Sequence, residues 1–288
     1  MGLVSAKSML DDACSGHYAI GHFNLNNMES VRAFLLAAQE AKSPIILAVS
    51  GGTASYMGGY RTISHMVEDF MNYLHITVPV ALHVDHGTYE QVLQAIGQGF
   101  SSVMFDGSSL PVEKNIQLTR EVIRLAQRRG ISVEAEVGGI GEEEDGRISR
   151  GECADPRHCR MMAEIGVDFL AAGIGNIHGK YPVDWEGLHF DLLQKIKEEV
   201  GTLPLVLHGG SNIPDDQIRK AIGMGVSKIN VNTECQIAFT ETTKQFFVEG
   251  KNLKPRGFTP RAMLAPGLEA TKQLCMRKMA LFGSIEKA

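Results

Sequence analysis

The stretch Val78-Pro79-Val80-Ala81-Leu82-His83-Val84-Asp85-His86-Gly87 reads as a buried strand, Val78 to Val84, that stops on a carboxylate beside an imidazole. Aliphatic and β-branched residues fill it, Pro79 marks its entry and Gly87 its exit. A carboxylate and a histidine together bind metals and move protons, and a strand end followed by glycine holds them on a rigid support beside a flexible turn. Alone, the pair also fits a capped strand end. Its meaning comes from what the rest of the chain repeats.

Outward from this stretch, short apolar runs alternate with segments of helical period. The other strand candidates are Tyr18 to Phe23, Ile45 to Val49, Ser102 to Phe105, Ser132 to Val137, Phe169 to Ala172, Leu205 to Leu207 and Lys228 to Val231. Between them lie helices such as Glu29 to Ala41, Glu113 to Arg129 and Phe190 to Val200, whose apolar residues recur at three and four. Strict alternation predicts parallel strands with crossover helices, and eight units predict an α/β fold, a closed (β/α)8 TIM barrel; a doubly wound open sheet is the alternative. Two stretches break the pattern. Gly138 to Arg157, with the run Glu142-Glu143-Glu144-Asp145, is expected to be a loop after the fifth strand, too polar for either element. Glu249 to Pro266 is expected to lead into an extra C-terminal helix, Gly267 to Phe282.

The chain of 288 residues, 44% hydrophobic, matches the roughly 250 residues of such a barrel, and one domain over 1–288 is expected. A chain this long buries roughly 75% of its unfolded surface, so stability needs no metal and any metal would serve chemistry. A net charge of -5 with dispersed basic residues is a poor footprint for nucleic acid. Five cysteines without Cys-x-x-Cys spacing suit reduced thiols in a cytoplasmic protein. Neither a signal peptide nor a membrane span is expected.

On a barrel the C-terminal strand ends share one face, where active sites are built. Those ends supply Ser50, Asp85-His86, Asp106, Glu136, His178, His208-Gly209-Gly210-Ser211 and Asn230-Val231-Asn232-Thr233. His86, His178 and His208 converge on one mouth, and three imidazoles with an open position are the arrangement of a catalytic zinc. Asp106 and Glu136 add carboxylates within reach. Glu134 shares the face of Glu136, two residues on, and His83 is expected to support the pocket without ligating. His17, His22, His65, His75, His158 and His189 are assigned to helix surfaces or loops. The stretches after strands seven and eight suit a phosphate, with backbone N–H groups freed by glycine and hydroxyls from Ser211 and Thr233.

Six motifs then fall into an ordered set: Phe23-Asn24-Leu-Asn-Asn27, Leu82-His-Val-Asp-His-Gly87, Val133-Glu-Ala-Glu-Val-Gly138 with Glu144-Asp145-Gly146, Gly175-Asn-Ile-His-Gly179, His208-Gly-Gly-Ser211 and Lys228-Ile-Asn-Val-Asn-Thr-Glu234. In order and spacing they resemble the zinc-dependent class II ketose-bisphosphate aldolases, from about Val4 to the C-terminal Phe282-Gly-Ser-Ile-Glu-Lys-Ala288. The resemblance implies zinc on His86, His178 and His208, with Asp106 and Glu136 matching an alternative or second metal position. It implies that Asp85 exchanges the C4 hydroxyl proton, that Glu144 moves the proton at C3 of dihydroxyacetone phosphate, and that Asn230 hydrogen-bonds the enediolate. Asn24, Ser50, Gly179, Lys180, Gly209 to Ser211, Asn232 and Thr233 are carried over as substrate and phosphate contacts, with a monovalent cation (Na+ or K+) near the phosphate. Pro255-Arg256 resembles a segment that reaches into a neighbouring subunit, which implies a homodimer or homotetramer. Departures from the pattern are Glu142 and Asn212 in place of glycine, Lys180 beside His178-Gly179, and a longer Arg256 to Pro266 segment that carries Arg261.

The expected substrate is fructose 1,6-bisphosphate, since Ser50-Gly51-Gly52 and Arg256 resemble the fructose-type members. Tagatose 1,6-bisphosphate, which differs only at C4, and a 5-keto-2-deoxygluconate 6-phosphate type of substrate, whose carboxylate Lys180 could pair, are the alternatives. A Schiff-base aldolase would need Lys228, which nothing in the sequence marks as desolvated. A binding protein on the same barrel would need neither Asp85 nor Glu144.

Overall fold

In the computed structural model the described residues are 2–144, 147–148 and 151–288, with 142–144 and 147–148 described by backbone alone. Eight strands, β1 (Ile20–Asn24), β2 (Ile45–Val49), β3 (Val80–Gly87), β4 (Ser102–Phe105), β5 (Ser132–Val137), β6 (Phe169–Ala172), β7 (Leu205–Leu207) and β8 (Val226–Val231), follow one another around a closed barrel. Every neighbouring pair is parallel, and β1 closes on β8 with His22 opposite Asn230. Five strands have the expected bounds; β3 runs three residues further, through Asp85 and His86 to Gly87.

Period-two alternation sorts each strand into two faces. Outward residues such as Leu47, Val84, Val103, Leu170 and Ile229 are buried with apolar residues of the surrounding helices. Phe23 of β1 stacks on Phe34 of the helix Met28–Ala41 with ring centroids 5.1 Å apart. That helix starts at a capping box, in which the Asn27 side chain accepts from Ser30 N and Ser30 Oγ accepts from Asn27 N. The inward face is layered. Ile20, Ile46, Ala81, Phe169 and Val206 form an apolar floor against Ala6, Met9, Leu10 and Ala13 of the N-terminal helix Ala6–Ser15, which stops that end of the barrel. Above the floor the interior turns polar.

Two sequence expectations need correction. Gly138 to Arg157 is not wholly loop: Gly141–Glu144 pairs antiparallel with Arg147–Ile148 and parallel with Ile177–His178, and a helix starts at Pro156 behind the Asp155 cap. Backbone pairing to a neighbouring segment, invisible in composition, makes a strand of an acidic run. The last helix spans Pro260–Phe282, not Gly267 onward. Pro260 sits in its first turn, where a missing N–H costs nothing. The helix continues through Pro266, and at Gly267 it lies close against Phe239 and Thr243 of the helix Thr233–Val248; an added Cβ would come within 2.8 Å of the Phe239 ring.

Candidate metal and substrate site

Adjacent residues of a regular strand point to opposite faces, so Asp85 and His86 cannot both reach the barrel mouth from ideal β geometry. The end of β3 is irregular. Its register against β4 shifts between Val84 and Gly87, and His86 has φ 48°, a left-handed value uncommon outside glycine. This bulge aims both side chains inward. Gly87 completes it, since a Cβ there would lie 2.8 Å from Val84 Cγ1 and 2.9 Å from Val92 Cγ2.

His86, His178 and His208 place three ring nitrogens within 4.8 Å of one another. Their other hydrogen bonds fix the hydrogens. His86 Nδ1 lies 2.7 Å from Asp106 Oδ2, so it donates there and Nε2 faces the centre. His208 Nε2 lies 2.8 Å from Glu134 Oε1, which leaves Nδ1 facing His86 Nε2 at 2.8 Å. His178 Nε2 is buried with no partner among the described residues. Burial, reinforced by His86, lowers the His178 imidazole to about 4, and burial with His86 and Lys228 holds His208 well below its ordinary value. Both are therefore neutral, as metal ligation requires.

The surrounding carboxylates call for positive charge. Burial alone would lower His86, but Asp85, the bond to Asp106 and Glu136 outweigh it and raise the imidazole to about 10. Asp106 is itself anchored by Ser108, whose N and Oγ donate to Oδ1 at 3.0 and 2.7 Å. Glu136, buried and beside Asp106, is pushed up to about 8, and its Oε2 has no hydrogen-bond partner. His86, Asp106 and Glu136 form a second convergent set. A divalent cation fits this donor set: two imidazole nitrogens facing each other, a third buried and orphaned, and carboxylates behind them.

Asp85 stands beside the triad. Burial opposes its charge, yet His22, His86 and His208 reverse that and hold the carboxyl well below the usual range. Asn24 Nδ2 donates to its Oδ2 at 2.7 Å and Asn230 Nδ2 to its Oδ1 at 3.3 Å. Above Asp85 opens a cavity of about 340 Å³, lined by eleven of the expected residues: Asn24, Ser50, Asp85, His86, His178, Gly179, Gly209, Ser211, Asn230, Asn232 and Thr233. A larger groove, along the outer helix Tyr60–Tyr73, has none of these groups. Thr233 begins a helix of 16 residues whose N-terminus opens onto the cavity, a favourable place for an anion. Gly209 has φ 65°, and any Cβ on it would run into the carbonyl of Ile177 next to His178. Gly210 is buried, with its N–H on Asn230 O at 2.8 Å.

Other expected residues sit apart. Lys180 and Arg256 are exposed and do not line the cavity of their own chain. Glu144 ends the strand that pairs with Ile177–His178; its side chain, Asp145 and Gly146 lie outside the described residues.

Beneath the site lies a layer in which the sequence reading expected Glu134 and His83 but missed His22 and Lys228. His22 is not on a surface: it is wholly buried in β1, two residues below Asn24. Lys228 is also wholly buried, contrary to the sequence reading, and paired: Nζ lies 2.9 Å from Glu134 Oε2 and donates to Asn230 Oδ1 at 2.8 Å. Glu134 thereby joins Lys228 to His208. Asn176 crosses between loops, donating to His208 O and accepting from Ile174 N, both at 2.9 Å. The available signal was the period itself. His22, His83, Glu134 and Lys228 each stand two residues before a strand-end polar residue and so share its inward face.

Comparison with known proteins agrees with this geometry. The family described as fructose-bisphosphate aldolase class-II matches residues 4–287. The chain is 50% identical over 293 residues to the fructose-bisphosphate aldolase of Streptococcus pneumoniae serotype 4, covering 100% of both. It is 48% identical over 288 residues to that of Mycoplasma pneumoniae, covering 99% of this chain and 100% of the relative. The crystal structure of the YdjI aldolase from Escherichia coli K12 superposes with a TM-score of 0.84 at 33% identity, covering 99% of each chain. With a matching family description over nearly its whole length and full-length relatives at half identity, this chain belongs to the class II fructose-bisphosphate aldolase family.

Proposed function

We propose that this chain, one domain over residues 1–288, reversibly cleaves fructose 1,6-bisphosphate to dihydroxyacetone phosphate and glyceraldehyde 3-phosphate, with zinc held by His86, His178 and His208. The observation that carries this reading is three imidazoles whose ring nitrogens converge within 4.8 Å of one another beside Asp85, whose carboxyl is held well below the usual range, at the floor of a cavity rimmed by phosphate-type backbone. Zinc, when bound, supplies a Lewis acid that polarises the substrate ketone. In cleavage, Asp85 accepts the C4 hydroxyl proton as the C3–C4 bond breaks. Glu144 then delivers a proton to C3 of the dihydroxyacetone phosphate half, and the Asn230 amide steadies the oxygens of that half. Ser211, Asn232, Thr233 and the amides of Gly179 and Gly209 hold its phosphate, with a monovalent cation beside it, whereas the Gly210 N–H, expected there from the sequence, is spent on Asn230 O. Asn24, on β1 beside β8, and Ser50, after β2, line the same cavity. Asp106 and Glu136 offer an alternative metal position on the far side of His86.

Arg256 belongs to a neighbour's site. It stands exposed in a turn, and Phe247, Val248, Leu253 and Phe258 around it are exposed too, an apolar patch suited to a second copy in a homodimer or homotetramer. Among the described residues no helix is long and apolar enough to cross a membrane, and all five cysteines are free, which suits the cytoplasm.

Initial cleavage rates of fructose and tagatose 1,6-bisphosphates, after EDTA treatment and again after zinc is restored, test the proposal. Rates should vanish with EDTA and return with zinc, well above the tagatose rate for fructose. Equal cleavage before and after EDTA would remove the metal from the reaction.

A further inference from the structure

Among the buried polar groups of the barrel, His22 has no place in the reaction as described. Its ring is wholly buried, and neither nitrogen makes a hydrogen bond within ordinary distance among the described residues. A buried imidazole without partners is costly, so some compensating contact is required. Among the described residues, the carboxylate that it faces at ion-pair range is Asp85, with Nε2 3.5 Å from Oδ2. The ring of His83 braces it edge to face, with centroids 5.5 Å apart.

This contact has a direction. Asp85 Oδ2 faces β1, taking Asn24 Nδ2 at 2.7 Å and His22 Nε2 at 3.5 Å. Oδ1 faces the other way, with Asn230 Nδ2 at 3.3 Å and His86 Nε2 at 4.0 Å. One oxygen is thus gripped from below and beside, while the other is held loosely on the metal-triad side of the cavity. His22, His83 and Asp85 do converge closely enough to suggest a further cation site. Lys228, buried beside Glu134 in the same layer, already supplies the positive charge there, so a cation would meet repulsion.

We infer that His22 is a positioning residue: with Asn24 it pins Oδ2 of Asp85, so that Oδ1 is presented to the substrate hydroxyl at C4. The inference rests on the role given above to Asp85. A proton acceptor tilted by a fraction of an ångström loses its alignment with the breaking bond, and misplacement of about 1 Å costs on the order of a hundredfold in rate. The effect is confined to the C4 proton. Dihydroxyacetone phosphate has no C4 hydroxyl, so exchange of its C3 proton does not need Asp85 to be aligned.

The test uses the zinc-loaded full chain and three substitutions of His22. Gln carries its amide nitrogen near the place of Nε2, Asn is too short to reach, and Leu fills the volume without a donor. Cleavage of fructose 1,6-bisphosphate is measured as kcat and KM, and C3 exchange of dihydroxyacetone phosphate is followed in deuterium oxide. His22→Leu and His22→Asn should lower kcat for cleavage by about tenfold or more, with KM and C3 exchange within about twofold of the parent. His22→Gln should recover most of the loss. Unchanged kcat in the Leu and Asn variants, or a fall shared equally by C3 exchange, overturns the inference. Asp85→Ala separates it from its foundation: if that variant cleaves as fast as the parent, the role of Asp85 itself fails, whereas a slow Asp85→Ala beside an active His22→Leu defeats only the part given to His22.

Discussion

Lys228 and Glu134 are charged side chains wholly removed from water, and each depends on the other. Glu134 accepts from His208 Nε2 at 2.8 Å through one oxygen and meets Lys228 Nζ at 2.9 Å through the other. Removing one member of a buried ion pair strands the other, which typically costs about 3–5 kcal/mol. Lys228→Met should therefore lower the unfolding free energy of the metal-free protein by about that amount, read from urea denaturation. The loss should extend to the metal, since Glu134 fixes the tautomer of His208, and disturbing such a support typically weakens metal binding about 10–100-fold. A competition titration of zinc against a chelator measures it; parental affinity would mean that Glu134 holds His208 without Lys228. At this scale the sequence showed the strand-end residues, because unusual side chains at the end of an apolar run stand out. It hid Lys228 and His22, because a polar residue inside a short strand carries no mark of its partner.

Elements separate stability from chemistry. The helix Ala6–Ser15 packs Met9 and Leu10 onto the apolar floor, at the end of the barrel opposite the cavity. Leu10 is wholly buried, and truncating such a side chain costs about 2–5 kcal/mol through lost burial and the void left behind. Leu10→Ala should show that loss in thermal unfolding while kcat at 25 °C stays at the parental value; a matching drop in kcat would tie the floor to the site. Most element bounds were legible, Ile45–Val49 and Ser132–Val137 to the residue, because Pro, Gly and the apolar period are local signals. Gly141–Glu144 was not. Four residues rich in acid have no intrinsic wish to be extended, and only pairing with Ile177–His178 makes them a strand.

At the scale of the whole molecule, the assembly proposed for the exposed patch around Arg256 is open to test. Phe258→Asp places a charge in that patch and should shift the protein toward monomer in sedimentation, with activity falling on dilution as Arg256 leaves the neighbour's cavity. Activity independent of concentration, with an unchanged oligomer, would take Arg256 out of the site. Closure of the barrel is what assembles the site within one chain: β1 lies beside β8, His22 beside Asn230, and the ends of β1, β3, β7 and β8 meet around Asp85. The sequence by itself determined the alternation of strands and helices, the polar strand ends and the motifs of the family, since period, turn residues and residue type are written locally. Only the tertiary structure decided which oxygen of Asp85 is gripped, which nitrogen of each histidine faces the centre, and that Lys228 and Glu134 meet. Those depend on strand register and on a bulge at Asp85-His86, where side chains far apart in the chain are brought into contact, 2.7 to 3.5 Å around Asp85, by packing rather than by their own preferences.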